Sequence, residues 1–231
     1  YGFFILPESL SAERRATFTW RVANPLGSLK LLRSYPGMMG LATAAILYFL
    51  AHEALPSMFV LYTDYRYGWT ERMVGGALAA IGVCTTLVSA ALVGPAVARL
   101  GERRALLLGL FFGLVGFTVY AVAPTGLIFL AGIPLVSLWG LAGPSMQALM
   151  TRRVGPSQQG QLQGALSSLR AITGMVGPLL FTQSFAVAIR QSGALHLPGT
   201  PYALATVLIA GSLVLAWYVT QPAANPRPTA E

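Results

Sequence analysis

Between Met38 and Tyr62 the chain runs for 25 residues without Asp, Lys or Arg, and with one acid, Glu53, near the middle. At about 1.5 Å of rise per residue, a helix of that length crosses the about 30 Å of a bilayer's hydrocarbon. The stretch reads as a membrane span, and its acid then needs a reason. An ionised carboxylate at the bilayer centre costs roughly 2.5–3.5 kcal/mol on insertion scales, so Glu53 calls for a wet cavity or a function. A carboxyl able to exchange a proton inside a membrane suits proton coupling. The adjacent His52 points about 100° away on a helix. The partners four residues along are Tyr48 for His52 and Ser57 for Glu53. Pro56 has no N–H, so the carbonyl of His52 loses its usual donor and the helix should kink at the polar pair. Broken helices whose freed backbone faces a cavity mark transporter binding sites. The alternative is a proline kink whose polar pair is solvated by headgroup water.

The rest of the chain has the same character. It is 55% hydrophobic and 10% charged, with a mean hydropathy of +0.65, against about 25% charged in an ordinary soluble domain. The expected class is therefore all-α, a polytopic membrane bundle of six transmembrane helices. The net charge of +8 does not point to nucleic acid, because the arginines sit in short loops between apolar runs rather than on a basic face. One cysteine, Cys84, and two distant histidines, His52 and His196, form no metal-ligand spacing. No nucleophile elbow, phosphate loop or dinucleotide fingerprint occurs. Neither an enzyme nor a cofactor is expected.

Taken in order, Tyr1 to Leu6 reads as the end of a preceding span, with no basic n-region or cleavage site, which suggests a fragment of a larger protein. Residues 7–36 read as a basic linker with a turn at Asn24-Pro25. The bundle is expected over 37–220, with spans at about 38–62, 73–98, 105–123, 127–150, 162–189 and 202–219. Residues 221–231, rich in Pro and Ala, read as a disordered tail. The rings of Tyr62, Tyr65, Tyr67 and Trp69 suit an interfacial belt, and Asp64 and Arg66 suit a local pair.

In the second span Gly75, Gly76 and Gly82 allow close helix approach, and Thr85 and Ser89 share a face for packing or substrate contact. Gly109 and Gly113 form a GxxxG pair in the third. In the fourth, Pro144 frees the carbonyl of Gly140, with the amide of Gln147 within helical reach. In the fifth, Gly177-Pro178 predicts another kink, and Arg170 either snorkels to the interface or attracts an anionic group. Eleven Lys and Arg fall in the linker, alternate loops and tail, against three on the other side. That asymmetry puts the linker and C-terminus in the cytoplasm.

Six spans after a stub and a basic linker look like the second half of a major facilitator superfamily transporter. The stretches Gly94 to Gly109 and Arg153 to Phe181, and the opening Leu6-Pro-Glu-Ser9, are similar to the tetracycline-resistance branch of proton-coupled drug antiporters. Gly94, Arg99, Gly101, Arg103 and Arg104 match the superfamily's cytoplasmic loop motif, although Ala98 stands where the motif has an aspartate and Glu102 where it has a basic residue. Gly174 to Pro178 resembles the antiporter glycine-proline motif. The branch's histidine in the second span and acid in the third are replaced by Thr85 and Gly113, leaving Glu53 as the acidic proton-coupling candidate inside a span, with His52 beside it.

The resemblance implies multi-pass residence in a bacterial inner membrane and a second, N-terminal six-helix half. It implies a substrate cavity between the halves, with Gln147, Arg170, Thr85 and Trp139 as candidate lining, and a small-molecule drug exchanged for protons. Uptake of a metabolite or organic anion is the alternative. A non-transporting membrane module that requires a partner half is a third reading.

Overall fold

The computed structural model describes residues 32–190 and 197–221. The expectations for 1–6, almost all of the linker and the tail beyond residue 221 lie outside the described residues. Within them the chain folds as six membrane-length helical segments: α1 Met38–Tyr67, α2 Glu71–Leu100, α3 Glu102–Val122, α4 Gly126–Thr151, α5 Pro156–Arg190 and α6 Thr200–Val219. α6 lies between α1 and α3, α4 packs along α3, α5 packs along α1, and α2 rests on α4. α2 is the most peripheral segment, burying only Val74, Ala77 and Val88.

Small residues set the closest contacts. Down α3, a Cβ on Gly109 would stand 2.6 Å from the backbone nitrogen of Ala142, one on Gly113 2.5 Å from the Trp139 ring, and one on Gly116 2.9 Å from the backbone nitrogen of Val136. The pattern legible as a GxxxG pair is thus a three-glycine groove in which the backbone of α4 lies. Apolar side chains gain no hydrophobic drive in lipid, so close packing of this kind and interhelical hydrogen bonds hold such helices together. Between α1 and α6 the buried Ser212 hydroxyl donates to the carbonyl of Ala44 at 2.9 Å.

Three of the helices depart from regular α geometry. α1 breaks at Glu53, whose N–H turns to the carbonyl of Leu50 at 3.1 Å, and the helix restarts with Ser57 N–H on the carbonyl of Glu53 at 3.2 Å. This is where Pro56 withdraws its donor. α4 tightens into a 3₁₀ turn at Trp139–Leu141, just ahead of Pro144. α2 widens into a π-helical turn at Val88–Leu92, which the sequence reading did not anticipate. Its cause is in the sequence: Pro95 cannot donate to the carbonyl of Ala91, and the wide turn absorbs the mismatch. The kink expected at Gly177-Pro178 does not interrupt the helix, since α5 continues as α-helix from Gln159 to Arg190.

The aromatic segment after the first span also departs from expectation. α1 runs on to Tyr67 and stops at Gly68, whose φ of 63° takes the left-handed cap that glycine adopts without penalty. This turns Tyr62 and Trp69 inward, so they join Tyr120, Phe129 and Tyr202 in a buried cluster instead of an outer belt. The Tyr120 and Phe129 rings stack at 4.1 Å, and Tyr202 meets Tyr62 edge-on at 5.0 Å. Tyr65 alone of the four expected belt rings remains largely exposed. The suggested Asp64–Arg66 pair is not formed. Among the described residues the ion pair is Arg152–Glu102 at 2.7 Å, at the arginine-rich end.

At that end Gly101 makes the turn between α2 and α3 with φ 77°. Arg103 donates to the Thr220 hydroxyl at 3.2 Å and lies 5.0 Å over the Trp217 ring, while Arg153 donates to the carbonyl of Val219 at 3.2 Å. Two cations therefore gather at the C-terminus of α6, where the helix dipole favours positive charge. Gly94, Arg99 and Arg104 lie on the same end and are mostly solvent-facing.

The glycine groove generates a stability prediction. Gly109→Val drives a branched side chain into the backbone of α4 and is expected to destabilise the bundle by about 1–3 kcal/mol. Gly75→Val, where a Cβ meets nothing within 4 Å, is expected to leave it unchanged. Thermal unfolding of the two purified variants in detergent checks the contrast.

Candidate functional site

Glu53 stands half-way along α1, at the break, and its side chain lies against α5. A Cβ on Gly177 would come within 2.6 Å of Glu53 Cγ, and one on Gly174 within 3.8 Å of Oε1. The in-helix partner expected for the carboxyl, Ser57, bonds to Glu53 through its backbone N–H. The glycines of the Gly174 to Pro178 motif therefore act here as the space that admits the carboxylate between two helices.

Beside this contact opens a cavity of about 320 Å³ lined by Tyr48, Phe49, His52, Glu53, Arg170 and Thr173. It falls in the lower part of the range of small-molecule sites. Arg170 does not behave as a plain snorkelling cation. Its guanidinium lies 4.7 Å over the centre of the Phe49 ring, which holds it beside the cavity by a cation–π contact. Opposite charges thus share one cavity, and no salt bridge joins Glu53 to Arg170. The Glu53 carboxyl can therefore meet a proton or a cation, and Arg170 an anion, without first leaving the other.

The other sequence candidates surround this space. Gln147 lines a narrow crevice with Tyr48, Phe49, Gly143 and Arg170. Thr85 and Trp139 line a separate chamber of about 90 Å³, into which His52 and Tyr48 also reach. The Trp139 ring packs 4.9 Å from Tyr48 and 5.5 Å from His52. His52 therefore stands between the open cavity and the chamber. Pro56 and Pro144 act at a distance, through the break that sets Glu53 and the 3₁₀ turn that carries Trp139. The loop residues Gly94, Arg99, Gly101, Arg103 and Arg104 belong to the far end and line none of this space.

Sequence reasoning missed Phe49, Thr173 and Tyr120 as lining residues. Phe49 had no polar atom to draw attention, and only the packing of α1 on α5 places it under Arg170.

Six membrane-length helices, with a charged cavity opening between α1 and α5 half-way along α1, define a polytopic membrane protein. Comparison with known proteins gives it a family. Residues 1–178 match the Major Facilitator Superfamily profile, and the chain belongs to that superfamily. It is similar to the class C tetracycline resistance protein of Escherichia coli, 31% identical over 187 residues, covering 81% of this chain and 47% of that protein. It is also similar to the class G protein of Vibrio anguillarum, 33% identical over 159 residues, covering 68% of this chain and 40% of that protein. The chain spans about half the length of the curated relatives it matches. In fold it resembles the human organic anion transporter MFSD10 (TETRAN), with a TM-score of 0.73 at 19% identity over 91% of this chain and 52% of that one. It likewise resembles the Escherichia coli fucose:proton symporter FucP, with a TM-score of 0.72 at 16% identity over 94% of this chain and 51% of that one.

The Glu53 contact yields a paired prediction. Gly177→Ala places a methyl against the base of the Glu53 side chain, which cannot swing away, and is expected to part α1 from α5 at a cost of about 1–3 kcal/mol. Gly174→Ala makes an ordinary van der Waals contact and is expected to be tolerated. Melting temperatures of the two variants, side by side, test the difference.

Proposed function

We propose that this chain is the C-terminal six-helix half of a proton-coupled drug antiporter of tetracycline-resistance type. The observation that carries the reading is Glu53: a carboxyl half-way through a membrane helix, held at a break and opening on a cavity shared with His52 and Arg170. The similarity to two tetracycline resistance proteins supports drug export as the activity. In this reading Glu53 takes a proton when the cavity faces one side and sheds it on the other, and the cavity meets an N-terminal half across the face that α1 and α5 leave open. The protein resides in a bacterial inner membrane with its arginine-rich end in the cytoplasm, in keeping with the distribution of basic residues.

A second reading is favoured by one observation. Arg170 is presented to the cavity on Phe49 without an ion-pair partner, which suits an organic anion as the transported molecule. Inhibition of drug export by small carboxylates, lost in Arg170→Gln, would favour it.

For the leading reading, Glu53→Gln in the whole protein is expected to abolish tetracycline export driven by a pH gradient in membrane vesicles. Glu53→Asp, which keeps an ionisable group, is expected to retain part of it. Export by Glu53→Gln at the unaltered rate would remove the carboxyl from proton coupling.

A further inference from the structure

α3 and α6 lie side by side, and neither contributes a residue to the main cavity. Each carries large apolar side chains that no other helix covers: Leu108, Phe111 and Val122 on α3, and Val207, Val214 and Trp217 on α6. Within each helix these positions are separated by steps of three and four residues, so each set forms one stripe along the helix. Lipid tails are as apolar as such side chains, and in a bilayer they cover them. At the arginine-rich end the stripes meet charge, where Arg103 at the start of α3 faces Trp217 in the last turn of α6.

Arg103 is half-buried and held from two directions. Its Nε donates to the Thr220 hydroxyl at 3.2 Å, and that hydroxyl gives its own proton to the carbonyl of Ala216 at 2.6 Å. Its guanidinium lies 5.0 Å over the Trp217 ring, which is 52% exposed. A guanidinium has five N–H donors in a fixed fork, and these contacts use one of them. The terminal nitrogens have no protein acceptor among the described residues, and they are not buried, unlike Nη1 of Arg153 on the other side of α6. The neighbouring acid, Glu102, is taken by Arg152 at 2.7 Å. The other acids of the described residues are Glu53 at mid-helix and Asp64 and Glu71 at the opposite end. Arg99 and Arg104 stand exposed at the same end as Arg103. The result is a positioned cation with an open donor edge and no free carboxylate beside it.

We propose that Arg103 and Trp217 form a binding site for the phosphate of an anionic phospholipid, whose acyl chains lie along the exposed stripes of α3 and α6. A guanidinium offers parallel N–H groups to two phosphate oxygens, and the stack on Trp217 together with the Thr220 bond holds that fork in place before the lipid arrives. The indole sits where tryptophans settle in membranes, at headgroup depth. Free phosphate would meet the same donors but gain nothing from the apolar stripes, which selects a lipid as the occupant. A zwitterionic lipid would bring an ammonium group to an end where the one acid is already paired, which selects an anionic headgroup. Arg99 and Arg104 add to the attracting field there. The inference requires only that these helices lie in a bilayer, and it is independent of drug export and of proton coupling.

Native mass spectrometry of the whole protein in detergent, titrated with dioleoylphosphatidylglycerol, counts the lipids that stay bound. At least one is expected to be held more tightly than dioleoylphosphatidylcholine, which has the same chains and a zwitterionic head. Arg103→Gln is expected to weaken retention of one such lipid about fivefold, the worth of one arginine at an anionic surface. Trp217→Leu, which keeps an apolar side chain at an exposed position, is expected to weaken the same lipid. Arg104→Gln, which removes an equal charge from an exposed neighbour, is expected to change it far less. Melting temperatures of the lipid-free variants separate loss of the site from loss of the fold, and if Arg103→Gln does not survive purification, Trp217→Leu decides the matter. Equal retention of the two lipids, equal losses in Arg103→Gln and Arg104→Gln, full retention in Trp217→Leu, or displacement of the lipid by inorganic phosphate would overturn the proposal.

Discussion

In hydrocarbon no water satisfies a free backbone group, so every departure from regular helix in a membrane span must be covered by protein or must face a wet space. The local geometry of this bundle follows from that constraint. The break at Glu53 is spanned by Glu53 N–H on Leu50, and the carboxyl beside it opens on the main cavity. The 3₁₀ turn at Trp139–Leu141 borders the smaller chamber, which Trp139 and Gly140 both line. The π turn at Val88–Leu92 places Val88 in contact with the same region through Gly140. Irregularity thus falls on α1, α2 and α4, each of which lines one of these cavities, while α3 and α6 are regular throughout and α5 is uninterrupted from Gln159 to Arg190.

α3 keeps its regularity through contact. Gly109, Gly113 and Gly116 let α4 lie against α3 at backbone distance, and the same approach wedges over Gly113 the ring of Trp139, a residue that also lines the smaller chamber. A structural groove and a candidate site are therefore two sides of one packing decision. The same is true of Gly177, whose missing side chain is what makes room for Glu53 between α1 and α5. In both places glycine positions a functional group on the neighbouring helix without touching any ligand itself.

Much of this was readable in the residues. Six apolar runs, the acid and proline of the first, and the glycines of the third and fifth all carry local signals, because hydrophobic length, charge and missing N–H groups act within a single helix. The inward turn of Tyr62 and Trp69 was not readable. A ring at a helix end suits an interface or a core equally, and the choice depended on α1 continuing to Gly68. Pro178 shows the opposite limit: a proline predicts a lost hydrogen bond, but whether the helix breaks there depends on what surrounds it.

By itself, then, the amino-acid order determined a polytopic all-α bundle and marked Glu53, His52, Thr85, Trp139, Gln147 and Arg170 as polar or aromatic groups at membrane depth. Hydropathy and helical periodicity are properties of one segment at a time, and they suffice for that. Only the tertiary structure decided that Arg170 rests on Phe49, that Glu53 lies against Gly177, and that Trp139 and Tyr120 share a chamber with His52. Those pairings join residues far apart in the chain, and their distances come from how closely each pair of helices can pack.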